Sequence, residues 1–134
     1  MKRYVQEAGS AEIDRWFARE FPLMTASLAY AEMYSALTRL QRSGQISRVQ
    51  LQRAVVAFEE DWRRIHVVAL NDDVCRKLPS LFHVHPLRGA DAIHLASALL
   101  LVERGIAPRF AASDRKLLNA AADAGLATVD PSEV

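Results

Sequence analysis

The sequence predicts an α/β domain with a parallel sheet and helices on both faces of that sheet. Two observations support this class: short apolar runs typical of strands alternate with helical segments of ten or more residues, and Gly, Pro or capping residues separate the two kinds. The chain has 134 residues, of which 51% are hydrophobic. That size and composition suit one compact domain over residues 1–134 with a real core.

The first half of the chain contains three predicted helices and two predicted strands. In order they are a helix over 11–20, a buried strand or strand-to-helix entry over 23–27, helices over 28–44 and 48–65, and a strand over 65–70. Ser10 and Ser47 are good N-caps for the first and third helices. Pro22 ends the first helix, and Ser43 with Gly44 ends the second. The last segment is rich in β-branched residues, which favour strands.

In the second half of the chain, predicted helices and strands alternate more regularly. Its predicted elements are helices over 71–85 and 90–104, a strand over 109–113, a helix over 113–125 and a strand over 126–130. Asn71 can cap the first of these helices, and Pro79 interrupts it. Gly105 and Gly125 end the next two helices, and Pro131 closes the last strand.

Charge and cysteine content restrict the class of protein. Seventeen basic and sixteen acidic residues give a net charge of +1, so any contact with nucleic acid must come from a local patch. The single cysteine, Cys75, excludes an internal disulfide, fits a reducing compartment and is predicted to be a small buried residue. No apolar run approaches the roughly 18 residues of a membrane span, and the N-terminus lacks the apolar core of a signal peptide. We therefore expect a cytoplasmic protein with no membrane partner.

One carboxylate stands in an otherwise apolar segment. From Ala90 to Val102 the only strongly polar residues are Asp91, His94 and Ser97. A helix that is apolar all round is normally buried, and a buried carboxylate is costly unless it is neutralised or hydrogen-bonded. Asp91 therefore either caps its helix or faces a functional site.

Three acidic residues lie where parallel sheets form sites. Glu32 is early in the helix after the 23–27 strand, Asp91 is in the first turn of its helix, and Asp114 directly follows the 109–113 strand. Ligands bind outside the carboxyl ends of parallel strands, so these three carboxylates are expected to converge there. Like charges that close raise each other's pKa, and a bound Mg²⁺ removes that penalty. Such a site suits phosphodiester hydrolysis, and no Gly-rich phosphate loop competes for the role.

Each candidate also has a purely structural explanation. Asp91 and Asp114 lie near helix N-termini, where capping and the helix dipole favour carboxylates. Glu32 alone would be a solvated helix residue, although its apolar neighbours favour burial. The other polar candidates are predicted to be structural: His94 in the core, His83 and His85 in a loop, and Glu59 to Asp61 on a solvated helix face.

Several segments together resemble the PIN-domain ribonucleases of the VapC toxin type. LRGADAIHLASALL with the following strand and SDRKLLNAAADAGLATVDP resembles their C-terminal half. TASLAYAEMYSAL resembles their second acidic motif, and KRYVQEAGS resembles the segment after their first strand. The similarity covers essentially the whole chain, and the motif around Asp91 is its most specific part.

The resemblance implies a three-layer α/β/α PIN-like fold and a metal-dependent endoribonuclease that uses Mg²⁺ or Mn²⁺. It also implies the toxin of a type II toxin–antitoxin module, with a cognate antitoxin that blocks the site, an RNA substrate and a homodimer. By motif, Glu32, Asp91 and Asp114 match the second, third and fourth acidic positions of the family, as catalytic and metal-binding residues.

The sequence departs from the family at its start. Family members usually begin with a strand that carries an aspartate, whereas here Met1 stands where that strand would have ended, so the first strand and first acidic ligand are absent. Three explanations stay open: a truncated start, which the closeness of KRYVQEAGS to the usual segment favours, a degenerate relative, or a gap filled by strand addition from another chain.

Two further functions are therefore kept beside the active toxin. One is an inactive or truncated module that binds antitoxin or RNA without cleaving, and the other is a nuclease that acts on DNA. Candidate RNA-phosphate contacts are the basic residues Lys2, Arg3, Arg39, Arg42 and Arg88.

Overall fold

A computed structural model of the chain describes residues 10–18 and 22–133. The predictions for the KRYVQEAGS segment before Ser10, for Lys2 and Arg3, and for the end of the first helix lie outside these residues. The chain divides into two compact units, Met1–Val67 and Val68–Val134. A single domain over the whole chain stays a prediction.

The first unit contains three helices and most of two strands within its described residues. They are α1 (Ser10–Ala18), β1 (Met24–Ala26), α2 (Leu28–Arg42), α3 (Arg48–Trp62) and β2 (His66–Val68), whose last residue begins the second unit. Ser10, the predicted N-cap, is already helical at the point where the described residues begin. The other predicted helices of this half are confirmed, with ends within about three residues.

Local sequence signals explain the turn between α2 and α3. Gly44 has a φ of 80°, a left-handed conformation that glycine adopts at low cost, and it lies just after the C-cap of α2. Ser47 then starts α3 with a capping box: its hydroxyl accepts from the Gln50 amide at 3.0 Å, and the Gln50 side chain accepts from the Ser47 amide at 2.7 Å. The two helices pack together around Leu37 and Phe58, which are buried.

The strands form two small sheets of two strands each in the described part of the chain. β1 pairs with β2, and the His66 amide donates to the Leu23 carbonyl at 2.9 Å. β3 (Arg109–Ala111) and β4 (Ala127–Val129) run parallel, with Phe110 opposite Thr128. All four predicted strands are present, but each is three residues long and so shorter than its apolar run.

The second unit contains four helices, α4 (Asp72–Cys75), α5 (Leu78–Val84), α6 (Gly89–Glu103) and α7 (Arg115–Asp123). The helix predicted over 71–85 is two helices, with the break at Arg76 and Lys77. Pro79 does not interrupt a helix but lies in the first turn of α5, where the amide that proline lacks has no intrahelical partner to lose. Asn71 caps α4 as expected, since its side chain accepts from the Val74 amide at 3.2 Å.

α6 is the central helix of this unit and packs against α4, α5 and α7. Its fully buried residues include Leu95 and Ala96, and its partners contribute the buried Val74 from α4. This environment explains why α6 is apolar on nearly every side. The prediction for Cys75 is wrong: it ends α4 and is exposed.

The described helices were also compared with the length and hydropathy that a membrane span requires. None of those in residues 10–18 and 22–133 is long and apolar enough to cross a bilayer.

Candidate functional site

Asp91 is not the cap of its own helix. The N-cap of α6 is Arg88, in an extended conformation, and no side chain makes a capping hydrogen bond there. Asp91 lies two residues inside the helix, in its first turn, and is half-buried. Within the described residues, no hydrogen bond or ion pair engages its carboxylate. The structure therefore excludes one of the two explanations for Asp91, namely that its side chain is the N-cap of its own helix.

The other polar residues of α6 are engaged elsewhere. The buried Ser97 donates its hydroxyl proton to the Ile93 carbonyl at 2.7 Å, the usual way for a helix to satisfy an internal serine. His94 is half-buried and takes part in an interaction within the fold. Asp91 is thus the one polar side chain in the 90–102 stretch, as the structure describes it, whose polar atoms are not engaged within the chain.

Asp114 does cap a helix. It precedes α7 in an extended conformation, and its Oδ1 accepts from the Leu117 amide at 3.0 Å. The structural explanation for Asp114 is therefore confirmed. The residue is exposed, and its second oxygen, Oδ2, takes no part in the capping bond.

Glu32 lies in the second turn of α2 and is exposed, like its neighbour Ala31. The expectation that apolar neighbours would bury it is wrong, because the buried face of α2 is the one that carries Leu37. Glu32 also takes part in an interaction within the chain. Its role as a ligand stays a prediction.

A cluster on α2 and α3 was missed by the sequence analysis. Glu59 is half-buried, and its Oε1 accepts hydrogen bonds from the hydroxyls of Tyr30 and Tyr34, each at 2.5 Å. The rings of both tyrosines lie against Phe58, and Tyr30 also lies against Trp62, with centroids 5.1–5.9 Å apart. One tyrosine pair on α2, Tyr30 and Tyr34, and one aromatic pair on α3, Phe58 and Trp62, are each spaced four residues apart, and this spacing was the signal that could have found the cluster.

These hydrogen bonds shift the protonation of all three groups. The Tyr30 and Tyr34 hydroxyls stabilise the carboxylate and so lower the pKa of Glu59. The same bonds favour the neutral phenols and raise the pKa of both tyrosines. The predicted solvated face over Glu59 to Asp61 is wrong at two positions, because Glu59 bonds to α2 and Asp61 is buried.

The histidine pair remains without a functional assignment. His83 lies in α5 and is exposed, and His85 follows the end of that helix. His83 is therefore helical and not in a loop as predicted, whereas His85 is outside the helix.

The donor chemistry of the three predicted ligands suits a hard divalent cation. Carboxylate oxygens are the ligands that Mg²⁺ and Mn²⁺ prefer, and Asp91 and Asp114 both keep oxygens that are not engaged in the bonds described above. In the part of the chain that the structure describes, no group of three or more His, Cys, Asp or Glu side chains is arranged to hold a metal ion. Glu32 lies in the first unit and the two aspartates in the second, so a shared ion stays a prediction.

Comparison with protein families identifies the class of this chain. A model of the PIN domain matches residues 4–123, which is most of the chain and spans both compact units. The chain therefore belongs to the PIN-domain family. PIN domains have a three-layer α/β/α fold, so the predicted fold class is confirmed.

Comparison with individual proteins shows that, among PIN domains, the chain resembles the VapC type. The chain is 35% identical over 102 residues to Ribonuclease VapC45 and, equally, to Ribonuclease VapC49, from two strains of Mycobacterium tuberculosis. The matched region covers 76% of this chain and 69% of each relative. The resemblance inferred from the motifs is thus confirmed.

Proposed function

We propose that the protein is a metal-dependent endoribonuclease that acts as the toxin of a type II toxin–antitoxin module. The observation that carries the proposal is Asp91: a carboxylate in the first turn of an apolar, buried helix, with no capping role and no partner within the described residues. Its carboxylate oxygens reach solvent and bond to no other described residue, so they are accessible to a divalent cation. The similarity to two proteins named ribonucleases supports the same activity.

We assign the chemistry to three residues. Asp91, with Glu32 and Asp114, supplies carboxylate oxygens for Mg²⁺ or Mn²⁺. When bound, such an ion supplies charge stabilisation at the phosphate and an activated water. Asp91 is held in place by its rigid helix, whose buried residues fix the first turn, whereas Asp114 is held by the bond between its Oδ1 and the α7 amide.

The family assignment supports the proposed partners. We propose a cognate antitoxin that blocks the site, an RNA substrate, a homodimer and a cytoplasmic location. The absence of any possible internal disulfide, with one cysteine in the chain, supports that location.

A second candidate function is a module that binds antitoxin or RNA without cleaving. The observation that favours it is the lack, among the described residues, of a ready group of three metal-binding side chains. It differs from the first proposal in one measurable property, since it predicts binding without hydrolysis.

Incubation of the chain with mixed single-stranded RNA in Mn²⁺ tests the proposal, with EDTA as the control and single-stranded DNA as a second substrate. We expect RNA to be cleaved internally, EDTA to abolish cleavage and DNA to remain intact. Binding of RNA without cleavage by the folded chain would support the second candidate. Preferential cleavage of DNA would identify a DNA-directed nuclease.

A further inference from the structure

The charges of the first unit are unevenly distributed. Residues 33–58, which span most of α2 and α3 with the turn between them, contain four arginines and no Asp, Glu, Lys or His. All sixteen acidic residues of the chain lie elsewhere. A chain with a net charge of only +1 thus carries a local patch of positive charge on one helical hairpin.

These arginines are exposed and have no ion-pair partner among the described residues. They are Arg39, Arg42, Arg48 and Arg53, and none of them forms an ion pair with another described residue. Elsewhere in the described part of the chain, arginines do pair with carboxylates, as Arg76 does with Asp73 at 2.7 Å and Arg115 does with Glu133. The positive charge of the hairpin is therefore available to an anionic partner.

Two of the four arginines share a helix face with Glu32. Glu32, Ser35, Arg39 and Arg42 are spaced by three or four residues along α2, which places them in one stripe, and all four are exposed. At about 1.5 Å of rise per residue, Arg39 lies about 10 Å and Arg42 about 15 Å along the helix axis from Glu32. The Arg39 guanidinium donates to the Ser35 hydroxyl at 3.3 Å, so it reaches back toward the turn that carries Glu32.

Contacts on the opposite face of α2 keep this stripe on the exposed side of the helix. Tyr34 is bonded to Glu59 of α3, its ring packs on Phe58, and Leu37 is fully buried. Helix α2 cannot rotate without breaking these contacts, so Arg39 and Arg42 stay on the exposed side. Arg48 is the first residue of α3, six residues after Arg42 in the sequence, and is also exposed.

We propose that Arg39, Arg42 and Arg48, here called the arginine track, bind the phosphate backbone of the RNA substrate beside Glu32. The proposal rests on the ribonuclease function proposed above, because RNA is the polymer that the site would cleave. Guanidinium groups bind phosphate through two parallel hydrogen bonds and remain charged at any physiological pH. Phosphate contacts of this kind position a nucleic acid and do not read its sequence.

The experiment measures binding of fluorescently labelled mixed single-stranded RNA to the full chain in EDTA, at salt concentrations between 50 and 200 mM. The test variant combines Arg39→Gln, Arg42→Gln and Arg48→Gln. The matched control combines Arg76→Gln, Arg104→Gln and Arg115→Gln, which removes the same charge from exposed arginines that have carboxylate partners.

We expect RNA binding by the test variant to depend less on salt than binding by the wild type. Each lost phosphate contact should reduce the slope of log affinity against log salt by about 0.7, and so by about 2 for three contacts. Over a fourfold change in salt, the wild type should lose about 20-fold more affinity than the test variant, as follows from that slope difference. The control variant should keep the wild-type slope.

Three results would overturn the proposal. The first is a wild-type slope in the test variant, and the second is an equal loss of slope in both variants, which would reflect net charge alone. The third is weaker RNA binding that only follows a lower melting temperature, which would assign the arginines to the stability of the fold. The melting temperature of each variant is therefore measured too, because the C-terminal turn of a helix favours cations such as Arg39 and Arg42.

The outcome is separable from that of the proposed function. Salt-dependent binding that the arginine track controls, without cleavage in Mn²⁺, would leave the track standing and remove the ribonuclease activity. Cleavage in Mn²⁺ together with a salt slope that the arginine substitutions do not change would leave the ribonuclease activity standing and overturn the arginine track.

Discussion

Asp114 combines a structural role with a proposed catalytic role, and two substitutions separate them. Its Oδ1 accepts from the Leu117 amide and caps α7, a helix of nine residues that contributes the buried Leu117 and Leu118. Asp114→Ala removes both the cap and the charge. Asp114→Asn keeps an oxygen that caps as well as aspartate does, and removes only the charge.

The magnitudes follow from these contacts. Loss of the cap costs about 1 kcal/mol, and loss of a carboxylate at a helix N-terminus costs about 0.5 kcal/mol. Asp114→Ala should therefore be less stable than wild type by about 1.5 kcal/mol, and Asp114→Asn by about 0.5 kcal/mol. For a chain of this length, a difference of about 1 kcal/mol between the variants corresponds to about 4 °C in melting temperature.

Thermal unfolding followed by circular dichroism, together with RNA cleavage in Mn²⁺, tests both roles. We expect both variants to lose cleavage to the same extent, although only Asp114→Ala melts clearly lower. Equal melting temperatures for the two variants would refute the capping role. Cleavage at the wild-type rate by Asp114→Asn would refute the role of Asp114 as a ligand.

Two further predictions concern stability. Because its tyrosine partners lower the pKa of Glu59, the ionised carboxylate stabilises the fold above its ordinary pKa of 4.5, and this contribution is lost as the pH falls through the lower folded value. The melting temperature of Glu59→Gln should therefore fall less steeply below pH 4.5 than that of the wild type. The control Glu60→Gln, at an exposed position, should keep the wild-type pH profile. Identical pH profiles for Glu59→Gln and wild type would contradict this account. Leu95 is fully buried in α6, so Leu95→Ala should lower the free energy of unfolding in urea by about 2–5 kcal/mol. Val102→Ala, at a position that is 45% exposed on the same helix, should cost under about 1 kcal/mol, and a similar loss in both variants would show that α6 is not the core helix.

The sequence was most informative where a local signal ends or begins an element. Gly105 and Gly125 adopt left-handed conformations just after α6 and α7, as their positions predicted, with φ values of 85° and 94°. Asp114 and Ser47 cap their helices through their own side chains. Such signals depend on a few neighbouring residues and can be read without knowledge of the tertiary structure.

Prediction was poorer where the outcome depends on distant residues. Glu59 meets Tyr30 and Tyr34 across 25 to 29 positions of sequence, so a run of acidic residues gave no sign that one of them bonds to another helix. The prediction for Pro79 failed for a local reason, since a proline can begin a helix as well as break one. Because the helical segment breaks earlier, at Arg76 and Lys77, Pro79 lies in the first turn of the next helix.

The candidate site was predictable in part. The apolar composition of α6 identified Asp91 as exceptional, but only the structure showed that Arg88 occupies the N-cap position. Conversely, apolar neighbours suggested that Glu32 is buried, whereas it lies on the exposed face of α2. Residue composition around a helix position does not specify which face meets the core, because this depends on the partner helix.

The most direct test of the account compares RNA cleavage in Mn²⁺ by the wild type, Asp91→Asn and Asp123→Asn. Asp123 is an exposed aspartate at the end of α7, and the substitution Asp123→Asn removes the same charge from the same unit as Asp91→Asn does. Loss of a metal ligand should exceed the roughly 10- to 100-fold effect of outer residues, so we predict a loss of more than about 100-fold for Asp91→Asn. Asp123→Asn should cleave like the wild type, and all three should be folded by circular dichroism. Cleavage by folded Asp91→Asn at the wild-type rate would contradict the claim that this carboxylate serves the reaction.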